Sequence, residues 1–176
     1  FYIKKDSFME IKKLIEQGKV NEELYATFIE DSKEQVPGWK IEASLKKLPA
    51  LNSQDEVYNA YMVYNEQGKK LSFFVLSNED GTDKLNSNAK VLQLQDTEDV
   101  WVANFLVYSG QRELGYGSKV FSEILKIIEE GTDKNLYLYT DRDNYENKIY
   151  KKNMFFLKEI ELDKKYRNVY FKKNKK

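Results

Sequence analysis

The segment that most narrows the folds open to this chain is VANFLVYSGQRELGYGSKVF, residues 102 to 121. It opens as an apolar run rich in β-branched and aromatic residues, the composition of a buried strand. It then passes through a turn carrying Gly110, Gly115 and Gly117, and continues with apolar residues at 120, 121, 124, 125, 127 and 128, the spacing of one helical face. A helix N-terminus holds unpaired N–H groups and the positive end of the macrodipole, and glycine lets backbone close on a guest without a Cβ in the way. The expected guest of this strand, loop and helix is an anion, most simply phosphate.

Spacing separates three loops of this kind. A nucleoside triphosphatase loop needs Gly-Lys-Ser/Thr after Gly110-x-x-x-x, but Gly115 is followed by Tyr116 and Gly117, so the phosphate-binding lysine is missing. A dinucleotide fingerprint starting at Gly115 needs a third glycine at 120, where Val120 stands, although Asp141 lies about where a ribose-binding acid belongs. That pattern is weakened and stays open. The third is Arg/Gln-x-x-Gly-x-Gly/Ala, met by Arg112-Glu113-Leu114-Gly115-Tyr116-Gly117.

A second signal lies downstream. Leu136-Tyr137-Leu138-Tyr139-Thr140 reads as a strand, Asp143 to Lys152 as a short helix, and Tyr150-Lys151-Lys152-Asn153-Met154-Phe155 leads into another strand. Together the two signals resemble the GCN5-related N-acetyltransferase (GNAT) superfamily, whose acetyl-coenzyme A pyrophosphate loop has the first spacing and whose later motif often reads Tyr-Glu-Lys-x-Gly-Phe. The resemblance covers roughly residues 100 to 160, and upstream only the order of elements agrees. It implies an α/β fold with a mixed, mostly antiparallel central sheet flanked by helices. A single N-acetyltransferase domain over 1–176 is expected, with a helical part at about 6–36 and a cofactor-binding core at about 100–160. Met154 stands where the family has glycine, and methionine resists positive φ. Asn144 maps to the asparagine of the second motif, one residue closer to Tyr150 than expected.

Composition narrows the chemistry. With 41% hydrophobic and 33% charged residues and no long apolar run, the chain reads as a soluble cytoplasmic protein without a membrane span or secretory segment. It has no cysteine and no histidine, which excludes disulfides, thiolate catalysis and the commonest general base and zinc ligand. Proton transfer must then use carboxylate, tyrosine, lysine or water. Lys plus Arg equals Asp plus Glu at 29 each, so there is no global basic field for nucleic acid.

Along the chain, Phe1 to Lys5 reads as an edge strand. Ser7 and Glu10 form a capping-box pattern for a helix from about 7 to 17, with Phe8, Ile11, Leu14 and Ile15 on one face and Gly18 as its stop. Asn21 caps a second helix that buries Leu24, Tyr25, Phe28 and Ile29 and stops at Pro37-Gly38. Residues 39 to 55 show no clear period, and Pro49 with Asn52-Ser53 suggests an irregular loop. Val57 to Tyr64 and Lys70 to Leu76 form a hairpin through Asn65-Glu66-Gln67-Gly68. The acidic run from Asn78 to Asp83 and Asn86 to Asn88 lacks the register of a calcium loop and reads as a solvated loop, and Ala89 to Leu94 as a further strand. The helix at about 115 to 130 ends at Gly131, and its crossover requires parallel pairing of the strands at 101–108 and 135–140. Asp143 and Glu146 form another capping-box pattern, Phe155 to Leu162 and Arg167 to Lys172 a closing hairpin, and Lys172 to Lys176 a solvated, frayed tail.

The resemblance also implies where the chemistry lies. The strands on either side of the loop and helix splay, and the pantetheine arm of acetyl-coenzyme A lies in the gap. Backbone of Phe105, Leu106 and Val107 pairs with its amides, while Arg112, Glu113, Leu114, Gly115, Tyr116, Gly117 and Ser118 hold the pyrophosphate and Asn144 adds a contact. Acyl transfer to an amine needs a neutral nucleophile, stabilisation of the oxyanion and a proton for the leaving thiolate. Tyr150 takes the place of the family's general acid. No acid stands in 101–108, so Glu98 or Asp99 acting through water are base candidates, with Asp141 and Asp143 serving either as bases or as caps. The implied function is N-acetyl transfer from acetyl-CoA to a primary amine of a small molecule or protein, without a metal, nucleic acid or membrane, homodimerisation being left open. The alternative is a noncatalytic acyl-CoA-binding or regulatory domain of the same fold.

Overall fold

The computed structural model describes residues 9–78, 99–111, 114–162 and 164–175. In order the elements are β1 (Glu10–Lys13), β2 (Ile15–Glu16), β3 (Lys19–Val20), α1 (Glu22–Gln35), α2 (Ile41–Asn52), β4 (Asn59–Tyr64), β5 (Lys70–Ser77) and β6 (Val100–Val107). There follow α3 (Tyr116–Gly131), β7 (Leu136–Asp141), α4 (Asn147–Asn153), β8 (Phe155–Leu162) and β9 (Lys165–Lys172). Seven strands form one sheet in the order β1-β4-β5-β6-β7-β9-β8, and β2–β3 is a separate hairpin. Within the sheet β6–β7 is the one parallel pair and the rest are antiparallel. The chain therefore forms the mixed, mostly antiparallel sheet expected, and the doubly wound parallel sheet of a dinucleotide domain is excluded.

Adjacent residues on a strand point to opposite faces, and this places the helices. On β5, Phe73 meets Phe28 of α1 edge-on with ring centroids 5.3 Å apart. Its neighbour Phe74 aligns with Phe105 of β6, and Phe105 lies 6.1 Å from Phe121 of α3. Helices α1 and α3 thus cover opposite faces. α1 begins where Asn21 accepts a hydrogen bond from the Leu24 N–H at 3.0 Å, a cap of about 1 kcal/mol, and it buries Leu24, Phe28 and Ser32. Asp31 ties it to the sheet by accepting from both Lys70 Nζ and the Tyr108 hydroxyl. α3 buries Val120, Phe121, Ile124 and Ile128 against the other face.

Several local expectations hold. The β4–β5 hairpin turns through Asn65, whose side chain accepts from the N–H groups of Gln67 and Lys69, and through Gly68 at φ 80°. Pro37 and Gly38 follow the end of α1, and the β8–β9 hairpin closes one edge.

Others are corrected. Where the 7–17 helix was expected, the described residues form β1, which pairs with β4 (Ile11 opposite Val63), and then the β2–β3 hairpin. Gln17 and Gly18 at φ 52° and 75° make its turn, so Gly18 ends no helix. Asn59 fixes this course by accepting from the Ile15 N–H at 2.9 Å and donating to the Ile15 carbonyl at 2.8 Å. Residues 41–52 are helix α2, in which Ile41, Ser44, Leu45 and Leu48 form the buried face. Pro49 lies in its last turn, where it forfeits one backbone bond while the Ser53 N–H still reaches its carbonyl at 3.2 Å. The basic tail is anchored, because Asn174 is buried and its side chain donates to the carbonyls of Thr132 and Lys134, both at 2.9 Å. The expected strands at 1–5 and 89–94, the Ser7 cap and all but the first residue of the acidic loop lie outside the described residues.

Candidate active site

Strands β6 and β7 run parallel across the α3 crossover, yet among the described residues they pair only through Val100 with Leu136 and Trp101 with Tyr137. Beyond that point they part. Residues 102–105 of β6 and 138–141 of β7 then line the two sides of a cavity of about 580 Å³. The connection from Val36 to Lys40, with Ser44 of α2, lines one part of it, and Asn144, Glu146, Tyr150, Lys165 and Arg167 line another.

Backbone direction along β6 decides which groups face the gap. The Tyr108 N–H donates to the Leu71 carbonyl at 3.1 Å and the Leu106 carbonyl accepts from the Ser72 hydroxyl, so both residues turn toward β5. Because strand residues alternate in the plane of the sheet, Phe105 and Val107 turn their N–H and C=O groups away from β5, and of the two it is Phe105 that lines the cavity. Of the three residues named from sequence, Leu106 is the one already engaged by its neighbour strand.

The glycine loop leads directly to α3. Gly115 is the N-cap at φ 78°, with nothing within 4 Å of the position a Cβ would take, so what it supplies is the left-handed conformation. Gly117 serves packing. A Cβ there would lie 3.2 Å from Ile149 Cδ1 and 3.7 Å from Val107 Cγ2, so its bare backbone seats α3 against α4 and β6. Tyr116, Gly117 and Ser118 form the first helical turn, whose N–H groups have no partner within the helix. The Leu114 N–H is committed to the Gln111 carbonyl at 3.3 Å. Arg112, Glu113 and Glu98 lie outside the described residues.

Tyr150 reaches the cavity from α4 and is 2% exposed, packed between Phe121 and Tyr170 with ring centroids 5.3 and 5.6 Å away. Its hydroxyl donates to Glu146 Oε2 at 3.2 Å. Burial, and then the Glu146 charge, hold its pKa well above that of an ordinary tyrosine, so the phenol stays protonated at neutral pH. Met154 ends the helix in extended backbone at φ −132°, which methionine adopts freely, so the glycine of the family motif is not needed here.

The expected Asp143–Glu146 capping box is replaced by an asparagine-built turn. Helix α4 starts at Asn147, and Asn144 accepts from the Glu146 N–H while donating to Thr140 Oγ1, both at 2.8 Å. The Asn147 side-chain amide serves the carbonyls of Asp141, Arg142 and Asn144 at 2.7 to 3.0 Å. Asp143 is 95% exposed and outside the cavity lining, whereas Asp141 lines it, 2.9 Å from Arg167 Nη1. Asp99 is buried and is not among the lining residues, its carboxylate accepting from the Asn135 N–H at 3.2 Å. Sequence reasoning missed three residues of this site: Glu146 as the partner of Tyr150, Asn147 as the stitch of the turn, and Asn104, whose shielded side-chain oxygen has no hydrogen-bond partner among the described residues. The i, i+4 spacing of Glu146 and Tyr150 was the signal available for the first.

The fold as a whole has counterparts among solved structures. The chain superposes on Arabidopsis thaliana Naa50 in complex with the bisubstrate analogue CoA-Ac-MVNAL, with a TM-score of 0.63, 13% identity and coverage of 94% of this chain and 98% of that one. It is similar to the ribosomal-protein-S18-alanine N-acetyltransferase of Escherichia coli, with a TM-score of 0.59, 13% identity and coverage of 93% and 92%. The chain has the GNAT fold. A GNAT-family acetyltransferase of Bacillus cereus gives a TM-score of 0.61 at 13% identity over 96% of this chain and 99% of that one. No family profile and no curated protein matches the sequence. Within the GNAT fold, the parted strands and Tyr150 of α4 line one cavity. No helix among the described residues is long and apolar enough to cross a membrane.

Proposed function

We propose that the chain is an N-acetyltransferase that moves an acetyl group from acetyl-CoA to a primary amine of a small molecule or protein in the cytoplasm. The observation that carries this reading is the gap beyond Trp101 and Tyr137, which leaves the backbone of Phe105 turned away from β5 beside an open cavity. Two neighbours of the fold are named as acetyltransferases, and a third is described with a coenzyme A bisubstrate analogue.

The residues present suit the cosubstrate. Its pantetheine arm carries amides that the Phe105 backbone can pair with, and the first-turn N–H groups of Tyr116, Gly117 and Ser118 suit its pyrophosphate. Asn104 offers an acceptor that no described residue satisfies. Arg112 and Asn144 belong to the same proposal, the first through charge and the second through its place on the cavity wall. Bound acetyl-CoA supplies the activated acyl group. The protein orients it, and Tyr150 holds a proton where sulfur leaves.

The test is release of coenzyme A thiol with spermidine and with the peptide Met-Val-Asn-Ala-Leu as acceptors, alongside calorimetry with coenzyme A and with NAD. Coenzyme A binding with acetylation of either amine is the expected result. Coenzyme A binding with no transfer would favour a noncatalytic acyl-CoA-binding domain, and no coenzyme A binding would overturn the assignment.

A further inference from the structure

We infer that Glu146 is the general base of this site and that it forms, with Tyr150, a closed proton relay between the incoming amine and the departing sulfur. The inference rests on the acetyltransferase reading. It answers the question left by β6, which has no carboxylate along its length.

The geometry is specific. Glu146 and Tyr150 line the same cavity, one helical turn apart, and their oxygens are 3.2 Å apart. The other charged groups lining this cavity are Asp141, which is paired with Arg167, and Lys40 and Lys165, so Glu146 is the lining carboxylate that contacts a proton donor. The remaining titratable group packed on Tyr150 is Tyr170, whose hydroxyl donates to Asn147 at 2.7 Å.

The proton balance follows from the substrates. A primary amine arrives as an ammonium and leaves as an amide, so its nitrogen sheds two protons. Glu146 takes the first, breaking one N–H bond and freeing the lone pair that forms the C–N bond. As the C–S bond breaks and sulfur keeps its electron pair, Tyr150 gives sulfur its hydroxyl proton. The protonated Glu146 then restores the phenol across their hydrogen bond. The second nitrogen proton, acidic once the C–N bond exists, passes to water. The coupling has a useful sign: the Glu146 charge raises the pKa of Tyr150, so protonating Glu146 makes the phenol a better acid at the step that needs one.

The experiment compares wild type, Glu146→Gln, Tyr150→Phe and the double variant, using spermidine and Met-Val-Asn-Ala-Leu as acceptors across pH 6 to about 10. A base of this kind contributes on the order of 10²-fold or more. Glu146→Gln is expected to lower kcat/KM by at least about 10²-fold at pH 7 and to make the rate rise with pH more steeply than in wild type. Its deficit should shrink near pH 10, where more acceptor is already neutral, and coenzyme A affinity should stay within about twofold. The double variant is expected to be no slower than the worse single one, because both residues serve one transfer. Glu146→Gln with wild-type rate and pH profile, or losses that multiply in the double variant, would overturn the relay while leaving the acetyltransferase reading intact. Coenzyme A binding without acetylation by wild type overturns the relay and leaves a binding domain, and loss of both binding and transfer overturns both inferences.

Discussion

Trp101 and Tyr137 stack at 4.9 Å, with their rings 20° from parallel, at the last register pair that β6 and β7 share among the described residues. The ring pair therefore sits at the vertex from which the two strands diverge. Trp101 is 4% exposed, so Trp101→Ala removes a buried aromatic and the stacking with it. A loss of about 3 to 5 kcal/mol is expected in urea denaturation, together with weaker coenzyme A binding in calorimetry, since the width of the gap is set there.

Asn147 joins the end of β7 to β9 and carries the turn that brings Glu146 and Tyr150 to the cavity. Its side-chain oxygen accepts from the Tyr170 hydroxyl at 2.7 Å, while its amide satisfies three carbonyls. Asn147→Ala leaves those groups unpaired in a region of little solvent. Expected is a loss of about 2 to 4 kcal/mol, read from the shift in the urea midpoint at unchanged slope.

Gly115 and Gly117 are required for different reasons, which a rescue experiment separates. Gly115→Ala places a side chain at φ 78° and should cost roughly 1 to 2 kcal/mol whatever its neighbours are. Gly117→Ala should cost about 1 to 3 kcal/mol by pressing on Ile149 Cδ1. Ile149→Val deletes that atom. Thermal melts should show it restoring part of the Gly117→Ala loss and none of the Gly115→Ala loss.

Alkaline pH should unfold the protein through its tyrosines. Burial raises the pKa of Tyr58, Tyr61, Tyr108, Tyr150 and Tyr170 above the ordinary value of 10.0. Above that value an unfolded chain loses phenolic protons that the native chain retains, so the unfolded state binds fewer protons and stability falls as pH rises. The contribution is fully present below pH 10 and disappears as the native groups titrate. Urea titrations at pH 8, 10 and 11 should give nearly equal midpoints at the first two and a sharp drop at the third; equal midpoints throughout would refute the linkage.

What could be read from the sequence was mostly written in short-range chemistry. Asn21 before Glu22 and Glu23, Asn65 with Gly68, and the run from Val102 to Phe121 each carry a local instruction, and each produced the expected element. The failures lie where distant backbone decides. Ile11, Leu14 and Ile15 fit a helical face as well as any, but Ile11 pairs on β4 and Asn59 holds both backbone groups of Ile15 from 44 residues away. Ser44 disguised the buried face of α2 and Pro49 looked like a break. The same held in the site. The strand, the loop and Tyr150 were visible, whereas Glu146 was taken for a cap because its role depends on the helix starting at Asn147.

An ordinary open sheet has two free edges, and this one, among the described residues, has four. Strands β1 and β8 bound it outside, and the diverging parts of β6 and β7 add two rims inside the molecule. Sheet rims invite other chains to add strands, but the inner pair lies between the α1–α2 connection and the face carrying Tyr150, leaving a slot flanked on both sides. Among the described residues the outer rim at β8 has no such guard: Phe155, Phe156 and Leu157 are all exposed there. Self-association at high concentration should therefore start at β8, and charged substitutions at Phe155 or Leu157 should raise solubility without touching the slot.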